Sequence, residues 1–92
     1  LRGIEKIGRN LIIASNINLD DISALENLSS VGNGNGKDSN YQLSIYDNRL
    51  LEDFCPLTRL FTKGIYYRTT IKSNGYNPTV ADIQNGNCRN QF

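Results

Sequence analysis

The sequence predicts an α/β fold of one kind, a right-handed β-solenoid of short parallel strands closed at one end by two short helices. Three observations carry this expectation. Apolar residues recur in one frame in two long segments, and an asparagine recurs at a fixed place within that frame. The last third of the 92-residue chain then changes to helix start and stop signals, with the only two cysteines beside them.

The repeat is visible in LIIASNINLDDISALENLSSVG (Leu11–Gly32) and LSIYDNRLLEDFCPLTRL (Leu43–Leu60). Apolar side chains fall at Leu11, Ile13, Leu19, Ile22, Leu25, Leu28 and Val31 in the first, and at Leu43, Ile45, Leu51, Phe54, Leu57 and Leu60 in the second. Upstream, Leu1–Asn10 matches Leu25–Gly34 at a spacing of 24, whereas Leu11 and Leu43 are 32 apart. The surplus of eight is the polar insert NGNGKDSN, residues 33–40, which reads as a flexible surface hairpin. A shorter third copy, TTIKSNGYNPT, aligns Thr69, Ile71, Ser73 and Asn74 with Leu43, Ile45, Asp47 and Asn48. Self-similarity at a period of about 20–29 residues with this apolar spacing is a leucine-rich-repeat pattern.

Each L-x-I step is a short strand that turns alternate side chains inward. Strands are expected near Leu11–Ser15, Leu43–Asp47 and Thr69–Ser73, parallel in one sheet, with Leu11, Ile13, Leu43, Ile45 and Ile71 inward. Asn16, Asn48 and Asn74 follow their strands at equal distances, so their amides can bond backbone groups of adjacent repeats as a ladder; the alternative is that they are surface turn residues. The residues between the inward ones face out. Among these Ile12, Tyr46, Arg68 and Lys72 form the candidate binding face, with Tyr46 the best contact residue because it offers area and a hydroxyl together.

The end of the chain reads as a cap. CPLTRLFTKG places Pro56 at a helix start, Leu57, Leu60 and Phe61 on one side, and Gly64 as a stop. NPTVADIQNG repeats that grammar, with Asn77 as N-cap, Pro78 at the first helical position, Val80 and Ile83 on one side and Gly86 at the C-terminus. Tyr66, Tyr67 and Tyr76 are expected to pack within this cap. Cys55 and Cys88 sit at the edges of the two helices. Their even number, wide spacing and terminal position favour a disulfide and an extracytoplasmic, secreted or cell-surface location, against the alternative of two buried free thiols in a cytosolic protein.

Composition removes many functions. There is no His, and the charge is +1 with no run of basic residues, so nothing argues for nucleic acid. No stretch approaches the ~18 apolar residues of a membrane span. The pairs Asp20–Asp21 and Glu52–Asp53 occupy equivalent places in the two repeats, which points to a repeated solvent-facing turn rather than an acid/base pair. Zinc is a poor fit with two Cys ligands and no C-x-x-C pair. The insert lacks P-loop spacing and the acidic residue of a calcium loop. No catalytic residue, cofactor site or metal site is expected, and the protein is expected not to be an enzyme.

The combination SNINLDDISALENLSSVG, DNRLLEDFCPL and NGYNPTVADIQNGNC resembles the C-terminal part of bacterial secreted or surface leucine-rich-repeat proteins with receptor-L-domain-like coils. The resemblance runs from Leu11 to near the end, and departs at the insert and at Thr69, where Leu is expected. It implies a single domain over residues 1–92, with coils over 1–54, the insert at 33–40 and a cysteine-bearing cap over 55–92. It also implies a surface protein that binds a protein or glycan or serves as a spacer; the alternative is an accessory module of a larger surface enzyme. The chain opens within a coil, so more coils are expected ahead of Leu1.

Overall fold

The computed structural model describes residues 4–32 and 41–90. The insert at 33–40 and the expectation placed on Leu1 lie outside the described residues. Among the described residues five strands form two parallel sheets. A narrow sheet pairs β1 (Lys6–Ile7) with β3 (Ser30–Val31), and Ile65 extends it through a parallel bridge to Ser30. A wide sheet runs β2 (Leu11–Ala14), β4 (Gln42–Tyr46), β5 (Arg68–Lys72) in that order.

The registers follow the sequence offsets. Lys6 and Ile7 face Ser30 and Val31 across the narrow sheet. In the wide sheet Leu11, Leu43 and Thr69 share one row, and Ile13, Ile45 and Ile71 another. Both rows point into the core because strand side chains alternate with a period of two, and a slip of one residue would expose them all. Leu43 and Ile45 on the central strand are fully buried, while Leu11, Ile13 and Ile71 on the flanking strands are half-buried.

The strands stop one residue earlier than expected, at Ala14, Tyr46 and Lys72. The next residue in each repeat, Ser15, Asp47 and Ser73, has φ of 58°, 58° and 57°. This left-handed residue swings the chain out of the sheet and leads into the following asparagine, Asn16, Asn48 or Asn74. Polar short side chains tolerate that conformation better than the branched residues of the strands.

The return path is made of 3-10 turns at Ser23–Leu25 and Cys55–Leu57. Asp21 Oδ1 accepts the Ser23 N–H at 2.7 Å, and Asp53 Oδ1 accepts the Cys55 N–H at 2.9 Å. The paired acids therefore start equivalent turns. Leu25, Leu28, Leu51, Phe54 and Leu57 fill the interior behind the sheets.

Helix α1 (Thr58–Lys63) follows the second 3-10 turn and buries Leu60 and Phe61. Gly64 does end it, but with extended backbone (φ −99°). The site requires glycine for closeness: a Cβ there would collide with the Ser29 carbonyl and sit 2.7 Å from the Leu60 carbonyl oxygen.

Candidate ligand-binding face

The wide sheet's outward face rests on an amide ladder beneath its C-terminal edge. Asn48 is fully buried. Its Oδ1 accepts the backbone N–H of Asn16 at 3.1 Å and the Asn16 side-chain amide at 3.0 Å. One repeat further, Asn74 Oδ1 accepts the same two groups of Asn48 at 3.1 and 3.0 Å. The Asn48 amide nitrogen also lies 3.0 Å from the carbonyls of Ile13 and Tyr46, and that of Asn74 lies 3.0 Å from the Ile45 carbonyl. Asn48 and Asn74 thus each satisfy backbone groups of the preceding repeat, and Asn48 one of its own, groups that would be costly to leave unpaired.

A fourth amide completes the ladder. Asn77 Oδ1 accepts the backbone N–H of Asn74 at 2.8 Å and its side-chain amide at 3.1 Å, and the Asn77 amide returns a bond to the Asn74 carbonyl at 3.2 Å. This corrects the expected helix start. Asn77 is the ladder's last rung, and Pro78 is buried ahead of the helix. Helix α2 (Val80–Gln84) is instead capped by Thr79, whose side chain accepts the Asp82 N–H while Asp82 accepts the Thr79 N–H, both at 3.0 Å. Such a capping box satisfies two N-terminal donors reciprocally. Gly86, with φ of 89°, ends α2; its N–H donates to the Ile83 carbonyl and that of Asn87 to the Asp82 carbonyl.

The cap closes the far side of the wide sheet. Ile83 is fully buried, and the Gln84 amide donates to the Phe61 carbonyl at 2.7 Å, tying α2 to α1. A disulfide joins Cys55 to Cys88 with Cα atoms 4.9 Å apart. Beside it the tail runs antiparallel to the second repeat: Asp53 bridges Arg89, Phe54 N–H donates to the Cys88 carbonyl, and Asn90 N–H to that of Glu52. Tyr66 packs edge-on against Phe61 (centroids 4.9 Å apart), and the Tyr76 hydroxyl donates to the Asn87 carbonyl. Tyr67 departs from the expected cap packing. It covers Gly32 and meets Tyr41 edge-on at 5.9 Å.

All four candidate contact residues project from the outward face. Ala14, Tyr46 and Lys72 form one row, Ile12, Ser44 and Thr70 the next, and Gln42 and Arg68 a third. Lys72 Nζ stands 5.9 Å from the Tyr46 ring centroid, a cation–π distance. Ile12 is 56% exposed, although it is a large aliphatic side chain in the middle of a strand. Ser44 is only 7% exposed between its neighbours, so it is floor rather than contact surface. Among the described residues no group of three or more His, Cys, Asp or Glu is placed to hold a metal ion, and no helix is long and apolar enough to cross a membrane.

The three parallel strands of the wide sheet, each followed by an asparagine of one amide ladder, present one outward face. The family model for the Receptor L domain matches residues 1–74, and the chain belongs to that family. Searches of curated proteins and of solved structures gave no match. The family match takes in all five strands and the ladder through Asn74, and stops short of Asn77, α2 and Cys88.

Proposed function

We infer that this chain is a non-enzymatic ligand-binding module, a leucine-rich-repeat solenoid of a secreted or cell-surface protein, and that it holds a protein partner on the outward face of β2, β4 and β5. Membership of the Receptor L domain family supports a ligand-binding role. The single observation that carries the choice of face is that exposed Ile12 and Lys72 and half-buried Tyr46 project from adjacent rows of one sheet face, so an aliphatic anchor, an aromatic ring and a cation share one surface. Tyr and Arg are enriched in protein-binding hot spots, and Tyr46 and Arg68 both stand on this face. Strand backbone hydrogen bonds and the ladder hold the face rigid, so binding would cost little ordering.

The Cys55–Cys88 disulfide supports an extracytoplasmic setting, because cytosolic reductants keep most thiols free. The resemblance of the cysteine-bearing ending to bacterial surface proteins supports the same setting.

The test is binding of the purified domain to proteins of its own cell surface and medium, with the captured partner then titrated in purified form. Tyr46→Ala combined with Lys72→Ala should weaken that complex about tenfold or more, with the melting temperature unchanged. Equal affinity for the double variant would remove the assignment to this face.

A further inference from the structure

Around the corner from the wide sheet, the outward side of the narrow sheet forms a cleft of about 480 Å³. That volume lies within the range of small-molecule sites, about 300–1,000 Å³. Its central row is Lys6, Ser30 and Ile65, held side by side by the β1–β3 register and the Ser30–Ile65 bridge. Gly8 and Gly32 follow the inward Ile7 and Val31, so the next row has no side chains and the floor there is bare backbone. Lys63, the last residue of α1, and Ser29 complete the lining.

The chemistry of this lining is specific. Two lysines line the cleft; among the described residues no Asp or Glu lines it and neither lysine has an ion-pair partner. The Ser30 hydroxyl has no hydrogen-bond partner among the described residues, while the Ser29 hydroxyl donates to the Glu5 carbonyl at 3.0 Å and keeps its acceptor capacity. Ile65 is 47% exposed at one side, an apolar shoulder. An anion is therefore wanted, together with hydroxyl partners and a C–H surface. The N–H groups of Ser29, Val31, Gly32 and Ile65 are spent on neighbouring carbonyls, so recognition at these four residues falls to side chains.

We propose that this cleft binds an acidic saccharide, a sugar carrying a carboxylate or sulfate. Lys6 and Lys63 take the anionic group, the Ser29 and Ser30 hydroxyls take ring hydroxyls, and Ile65 lies against the C–H face of the ring. The site is separate from the wide sheet's outward face, so it stands or falls independently of the protein partner proposed there.

The test is titration of the isotope-labelled chain, followed by amide NMR, with a sulfated disaccharide containing glucuronate. A neutral disaccharide and inorganic sulfate are the comparison arms. Shifts are expected at Lys6, Gly8, Ser29–Gly32 and Ile65, weakening several-fold between low and physiological ionic strength as screening increases. Lys63→Gln should weaken binding about five- to tenfold. Gly8→Leu should abolish it by filling the cleft, without strain, because a Cβ at Gly8 meets nothing within 4 Å. Tyr46→Ala should leave it unchanged. Equal binding of the neutral disaccharide, equal binding of sulfate alone, absence of shifts at these amides, or insensitivity to both variants would each overturn the proposal.

Discussion

Asn77 Oδ1 accepts both the backbone N–H and the side-chain amide of Asn74, at 2.8 and 3.1 Å. The same two-bond pattern links Asn16 to Asn48 and Asn48 to Asn74. Asn77 therefore ends the ladder from within the loop that leads into the cap, three residues after Asn74.

The rungs should differ in value. Asn48→Ala removes a fully buried side chain and leaves the Asn16 N–H and the Ile13 and Tyr46 carbonyls without its bonds, and is expected to cost about 3 kcal/mol in urea unfolding. Asn16, the first of these rungs, is exposed, and Asn16→Ala should cost about 1 kcal/mol or less. Equal losses at the two positions would contradict this ordering.

Thr69 stands in an inward row where the repeat frame places leucine. Its Oγ1 is buried with no hydrogen-bond partner among the described residues. Replacing Thr by the isosteric Val removes an unsatisfied hydroxyl while keeping the shape, so Thr69→Val should stabilise by about 1 kcal/mol. A lower denaturation midpoint would show that the hydroxyl is engaged in solution.

The disulfide spans 33 residues. Constraint of the unfolded chain by a loop of that length predicts a loss of about 3–4 kcal/mol when both cysteines become serine. Hydrogen exchange should place most of the lost protection in α2 and the strand-like pairing of Asp53 with Arg89.

Two glycines of the narrow sheet should respond oppositely. Gly32 has φ of 104°, and a Cβ there would lie 2.6 Å from the Tyr67 ring. Gly32→Ala is expected to cost about 2 kcal/mol or more, from left-handed strain and displacement of Tyr67. Gly8→Ala should be close to neutral. Thermal melts of the two variants make the comparison directly.

Local sequence determined whatever depends on period and count. The Leu and Ile frame at Leu11, Ile13, Leu43 and Ile45 dictates which strand face is buried, because a pleated strand has only two faces. The offsets of 24 and 32 reappear as the registers Lys6 to Ser30 and Leu11 to Leu43. The three ladder asparagines and the pair of cysteines were legible for the same reason, since each recurs or stands alone in a fixed place. Tertiary structure decided the rest. Asn77–Pro78 is a sound helix start read locally, yet its amide is taken by Asn74, and the start passes to Thr79 and Asp82. Tyr67 lies on Gly32, which is 35 residues earlier in the chain, and the cleft of Lys6, Ser30 and Lys63 joins three separate segments. A side chain's partner is chosen among all groups within reach in space, and once contacts with the preceding repeat fix Asn74 in the ladder, satisfying its N–H and amide outweighs the preference of Asn77 for a helix start.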